Sequence, residues 1–199
     1  GGRNPPLVLC YMAAVLEKNN IDVRILDADI LNLTLEQTLI EVEKRAPKVV
    51  LITVTTPSLD IVTELSKGLK TKIKNIKIIV GGPHLAIDAE NTMKINYFDV
   101  GVIGEAEYTT LELIKKMLKE EDYSNVKGII YRAGDKIIQT ESRELIQNLD
   151  ELPIPAYHLL PNIRLYRPQS HAYKYSPIAT MITSRGCPYR CIFCDQGVF

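Results

Sequence analysis

Four short apolar runs of strand length, at residues 23–26, 49–55, 77–80 and 100–103, alternate with segments of helical period, and their starts fall about 22 to 28 residues apart. This spacing predicts strand-helix units, an α/β fold with a doubly wound parallel sheet over residues 1–122. Each helical segment carries a start signal. Thr34 with Gln37 forms a capping box ahead of Leu35, Ser58 precedes a run containing Leu59, Val62, Leu65 and Leu69, and Thr109 with Glu112 repeats the device ahead of Leu113. The opening differs, because Pro5-Pro6 lead into an amphipathic helical run with no strand in front of it. A doubly wound domain ordinarily opens with a strand, so the reading expects one more upstream and, with it absent, marginal stability.

After Asp122 the pattern changes. The stretch VKGIIYRAGDKIIQT reads as a hairpin turning at Ala133-Gly134-Asp135. Residues 142–177 hold Pro153, Pro155, Pro161, Pro168 and Pro177, too many for long helices, so residues 123–177 are expected to be a hairpin and proline-rich linker. A last strand candidate at residues 178–183 leads into the third segment, residues 178–199. Lys plus Arg and Asp plus Glu number 24 each, which gives no electrostatic case for a nucleic-acid partner. No apolar run approaches the ~20 residues of a membrane span, and the N-terminus lacks signal-peptide order, so a cytoplasmic location is expected.

Three of the four cysteines stand within eight positions, in SRGCPYRCIFC. Crowded thiols in a reducing compartment more often bind metal or do redox chemistry than form disulfides. Zinc usually takes two pairs of ligands, and neither a second pair nor a nearby histidine follows. A thioredoxin-like motif would leave Cys187 idle. Cys187, Cys191 and Cys194, as C-x3-C-x2-C, suit three corners of a four-iron four-sulfur cluster with one iron open. A structural metal loop is the alternative.

The surrounding ATMITSRGCPYRCIFCDQ resembles the signature of the radical S-adenosylmethionine (radical SAM) enzymes. The resemblance implies that the three cysteines ligate the cluster and that Phe193 lies near the adenine of S-adenosylmethionine. It further implies that an electron from the reduced cluster, delivered by a donor such as a flavodoxin or ferredoxin, cleaves the sulfonium to a 5′-deoxyadenosyl radical. The family's Gly-Gly-Glu stretch would lie beyond Phe199. Residues 178–199 are therefore expected to be the first strand and cluster loop of a (β/α) barrel, inactive by themselves.

In an open parallel sheet, ligands bind outside the carboxyl ends of the strands. There Thr55, Thr56 and Ser58 offer hydroxyls, Gly81 and Gly82 permit close backbone approach, and Gly104 precedes Glu105 at a helix start. The alternatives are a tight turn at Gly81-Gly82, favourable helix charges at Glu105 and Glu107, and a surface position for His84. Residues 4–122 resemble the Rossmann-like cobalamin-binding domain of one branch of radical SAM proteins, through NPPLVLCYMAAVLEKNNIDVRILDA, TVTTPSLD, VGGPHLA and VIGEAEYT. That likeness adds Pro83 and His84 to the candidate contacts and implies methyl transfer to an unreactive carbon of a small-molecule or peptide substrate. No histidine here has an Asp two residues before it, so no Asp-x-His-x-x-Gly ligand for cobalt is expected. Two rivals are a radical SAM cyclase, rearrangement or sulfur-insertion enzyme that does not use cobalamin, and a non-catalytic corrinoid-binding module.

Overall fold

Helix α1 (Leu7–Lys18) starts directly after Pro5-Pro6, with Pro6 at its N-cap. The expected amphipathic pattern is not what forms. Residues 10–16 are all buried, as in a helix covered on every side. These coordinates are a computed structural model in which residues 3–169, 173–189 and 191–194 are described. His171 and residues 195–199 of the last predicted segment lie outside the described residues.

The chain divides into two compact units. One comprises residues 1–34 and 147–185. Its core gathers Cys10, Ile30, Leu160 and Tyr166, with Ala13, Ala14 and Ala156 packed together beside Val23 and Leu159. The Tyr166 hydroxyl donates to Asp27 Oδ2 at 2.9 Å, and Asp27 Oδ1 accepts from the Ile30 N–H at 3.1 Å. The proline-rich stretch forms three short 3-10 turns, Leu149–Glu151, Tyr157–Leu159 and Ile163–Leu165, as its composition requires. Residues 23–26 form no strand, contrary to expectation. Val23 and Ile25 instead pack on the alanines of α1, and without a neighbouring ladder an extended segment is not a strand. Residues 178–183 likewise form none.

The other unit comprises residues 35–146 and 186–199. Helix α2 (Leu35–Arg45) precedes β1 (Val49–Thr53), and α3 (Leu59–Lys72), β2 (Lys77–Gly81), α4 (Pro83–Met93), β3 (Val100–Val102) and α5 (Ala106–Leu118) follow in alternation. The three strands are parallel and adjacent, with Thr53 level with Gly81. The hairpin, β4 (Ile129–Ala133) and β5 (Lys136–Gln139), joins the same sheet by antiparallel pairing of β4 with β3. The doubly wound α/β class therefore holds, as a mixed five-stranded sheet in the order β1-β2-β3-β4-β5.

The core of this unit includes Val54, Val62, Leu69, Ile78, Val80 and Leu85, each contributing roughly 1.5–3 kcal/mol by burial. Asp99 ties β3 to β2. Its Oδ2 accepts from the Ile78 N–H at 2.6 Å and pairs with Lys70 Nζ at 2.5 Å, while its own N–H donates to the Ile78 carbonyl at 2.9 Å.

Helix α5 begins three residues before the predicted Thr109 cap, because Gly104 adopts φ +82° and breaks the chain direction there. Thr109 is a buried helical residue, and its Oγ1 accepts from Arg143 Nε at 2.8 Å. Among the described residues no helix is long and apolar enough to cross a membrane.

Candidate functional site

Because β1, β2 and β3 run parallel, the loops that follow them emerge at one edge of the sheet. After β1 the chain makes a 3-10 turn, Thr56–Ser58, capped by Thr55. The Thr55 N–H donates to Ser58 Oγ at 2.9 Å, and Ser58 Oγ donates to the Thr55 carbonyl at 3.0 Å. These two predicted contacts therefore stabilise the turn reciprocally. Ser58 acts within this box and makes no side-chain cap for α3.

After β2 the backbone turns at Gly82, with φ +105°. A Cβ there would stand 2.9 Å from both the Val54 carbonyl oxygen and Thr53 Cγ2. Glycine at 82 is thus required by the approach of the two loops to each other. The Val54 carbonyl accepts from the His84 N–H at 3.2 Å, and the Val54 N–H donates to the Gly81 carbonyl at 2.7 Å.

His84 is buried, at 7% exposure, and does not take the surface position that was the alternative for it. Its Nδ1 lies 3.0 Å from Thr56 Oγ1, so the structure brings together two predicted site residues 28 positions apart. Pro83 occupies the first position of α4 and is exposed.

After β3, Gly104 is exposed, and a Cβ built on it meets nothing within 4 Å. This open notch with its positive φ fits the close approach of a flat group to the backbone. Glu105 turns back toward the segment after the hairpin, where its Oε2 accepts from the Ile146 N–H at 2.5 Å. Arg143, on that same segment, reaches both Thr109 and Glu112 of α5. No sequence signal marks this strap, since its contacts are made across more than thirty residues.

Cys187, Cys191 and Cys194 are free and exposed, and Phe193 is 89% exposed. The Cys194 N–H donates to the Cys191 carbonyl at 3.1 Å, which turns the chain between the second and third thiols. Among the described residues no set of three or more Cys, His, Asp or Glu side chains stands close enough to hold a metal, so the structure does not bring the three sulfurs together. As a donor set, three accessible thiols on one short loop fit three corners of an iron-sulfur cluster.

Comparison with known proteins places these features. The family model described as B12 binding domain matches residues 1–114, which include β1 to β3 and all three loops. An uncharacterized methyltransferase of Pyrococcus horikoshii is 34% identical over 201 residues, covering 100% of this chain and 42% of that protein. The solved structure of the cobalamin-dependent S-adenosylmethionine radical enzyme OxsB, with aqua-cobalamin and S-adenosylmethionine bound, shares the fold at a TM-score of 0.68. That match has 21% identity over 77% of this chain and 22% of OxsB.

The chain belongs to the cobalamin-binding radical SAM family.

Within that family a second relative has a different named activity. The anaerobic magnesium-protoporphyrin IX monomethyl ester cyclase of Synechocystis is 30% identical over 199 residues, 98% of this chain and 38% of the cyclase. The chain spans less than half the length of these relatives. The B12 binding match ends within α5, so the cysteine loop of this family member lies outside it.

Proposed function

We propose that these residues are the cobalamin-binding and cluster-bearing part of a radical SAM enzyme that transfers a methyl group to an unreactive carbon. One observation carries the reading: three free, exposed thiols in C-x3-C-x2-C stand in the same chain as a B12 binding domain. When bound, the cluster with S-adenosylmethionine supplies one-electron radical chemistry and the corrinoid supplies the methyl group.

In this reading Cys187, Cys191 and Cys194 ligate the cluster and Phe193 packs against the nucleoside. Gly81, Gly104 and Glu105 face the cobalamin from the second and third loops. Gly82 and Pro83 shape the second loop, and His84 holds Thr56, with the capped turn of Thr55 and Ser58 beside it. Among the described histidines, His84 Nδ1 meets Thr56 Oγ1 and His158 pairs with Glu17, and in this reading cobalt is bound without a histidine from an Asp-x-His-x-x-Gly motif. The division into residues 1–122, 123–177 and 178–199, the last as the start of a barrel, belongs to the same proposal. So do a flavodoxin- or ferredoxin-like electron donor and a cytoplasmic location.

Incubating the protein anaerobically with hydroxocobalamin, desalting it and recording the retained corrin absorption tests the cobalamin half; iron and sulfide assays after reconstitution test the other. Stoichiometric corrin without a histidine-ligated spectrum is expected, together with close to four irons per chain. The identity to the Synechocystis cyclase supports cyclisation as an alternative reaction, and the rival reading is a radical SAM cyclase, rearrangement or sulfur-insertion enzyme whose front domain does not use cobalamin. Cluster uptake without corrin retention would select it, and a corrin-binding chain carrying only zinc would be the non-catalytic module.

A further inference from the structure

Two residues ahead of Cys187 the chain is held. The guanidinium of Arg185 lies over the ring of Tyr11, with Cζ 5.8 Å from the ring centroid. Tyr11 is on α1 at 8% exposure, and Arg185 is half-buried although Ser184, Gly186 and Cys187 beside it are exposed. A guanidinium within about 6 Å of an aromatic face is attracted by the ring quadrupole, and the attraction strengthens as water is excluded.

Five residues earlier the same segment is held again. The Thr180 N–H donates to Tyr157 Oη at 3.1 Å, and the Tyr157 hydroxyl donates in turn to the Thr180 carbonyl. The residue before Tyr157 is attached to α1, since the Ala156 N–H donates to the Cys10 carbonyl at 3.0 Å. Cys10 and Tyr11 are consecutive, so one buried helix anchors both ends of residues 180–185. Two residues reach at most about 7 Å, which bounds how far the Cys187 backbone can lie from Arg185.

We infer that Tyr11 and Tyr157 are positioning residues for residues 180–185, and so hold the stretch of chain from which the cysteine loop continues. This rests on the reading of Cys187, Cys191 and Cys194 as cluster ligands. The aromatic ring at 11 acts by holding Arg185, and the hydroxyl at 157 acts by clamping Thr180.

The full chain is reconstituted anaerobically with ferrous iron and sulfide, and iron release to a chelator is timed. Tyr11→Leu and Arg185→Gln are each expected to release iron about tenfold faster than the wild type, while Tyr11→Phe keeps the wild-type rate. The double variant Tyr11→Leu/Arg185→Gln should be no worse than either single, which general destabilisation would not reproduce. Tyr157→Phe, which keeps the ring and loses both bonds to Thr180, should also release faster and covers the case in which Tyr11→Leu does not fold. Wild-type rates in Arg185→Gln and Tyr157→Phe, or effects that simply add in the double variant, would overturn the inference. A wild type that takes up no iron at all would instead remove the reading of the cysteines on which it rests.

Discussion

Thr56 Oγ1 and His84 Nδ1 stand 3.0 Å apart and join the loops that follow two neighbouring parallel strands. Together with the bond from the His84 N–H to the Val54 carbonyl, this makes the two loops one rigid edge. Thr56→Val should remove about 1 kcal/mol of stability, and His84→Ala more, because it also empties a buried position. Under the proposed function both should weaken hydroxocobalamin binding in an equilibrium titration. Unchanged affinity in both variants would detach this edge from the corrinoid.

Gly82 and Gly104 both have positive φ but differ in what surrounds them. Gly82→Ala would force a Cβ to within 2.9 Å of the Val54 carbonyl oxygen, and a loss of about 2–4 kcal/mol in urea unfolding is expected. Gly104→Ala faces open space and should cost about 1 kcal/mol of backbone strain. If the notch at 104 receives the corrinoid, that second variant should lose cobalamin binding out of proportion to its stability.

The three clustered thiols carry little of the fold. Replacing any of Cys187, Cys191 or Cys194 by Ala should shift unfolding by no more than about 0.5 kcal/mol, as at other exposed sites. The same variants should lose the iron and sulfide taken up on reconstitution. Full iron retention in any one of them would remove that residue from the ligand set.

Cys10 is fully buried, and burial, with the nearby Asp27 carboxylate, pushes its thiol from 9.0 up to about 11. Tyr166 is shifted in the same direction by burial and by its hydrogen bond to Asp27. In an acid whose folded pKa is raised, the unfolded chain loses its proton first. The Cys10 contribution is therefore intact below pH 9 and is lost as the pH climbs to about 11, on the order of 2 kcal/mol. Unfolding free energies measured at pH 8 and pH 10.5 should show the decline, and Cys10→Ala should reduce it.

Much of the sheet was legible because its strands are apolar on both faces and spaced for crossover helices. The runs at residues 49–55, 77–80 and 100–103 became β1, β2 and β3 within two residues at each end. The helix start at Thr109 was misread, because a capping box is a local pattern that also occurs inside a helix whose threonine finds a distant partner, here Arg143. Residues 23–26 have strand composition, but a strand also needs a neighbouring ladder, which composition does not supply. At the site, glycine and hydroxyl residues could be picked out by their position after strands. Their division of labour could not: Gly82 serves the loop packing, Gly104 leaves a notch, and Glu105 binds a backbone amide of the strap.

By itself the sequence determined the α/β alternation, the place of the ligand-facing loops and the cysteine motif, because each depends on residues near one another in the chain. Only the tertiary structure decided that the hairpin extends the sheet, that His84 is buried against Thr56, and that α1 holds Arg185 and Ala156. These contacts join residues 27 to 174 positions apart, and they form only when packing brings the elements close enough for short-range forces to act.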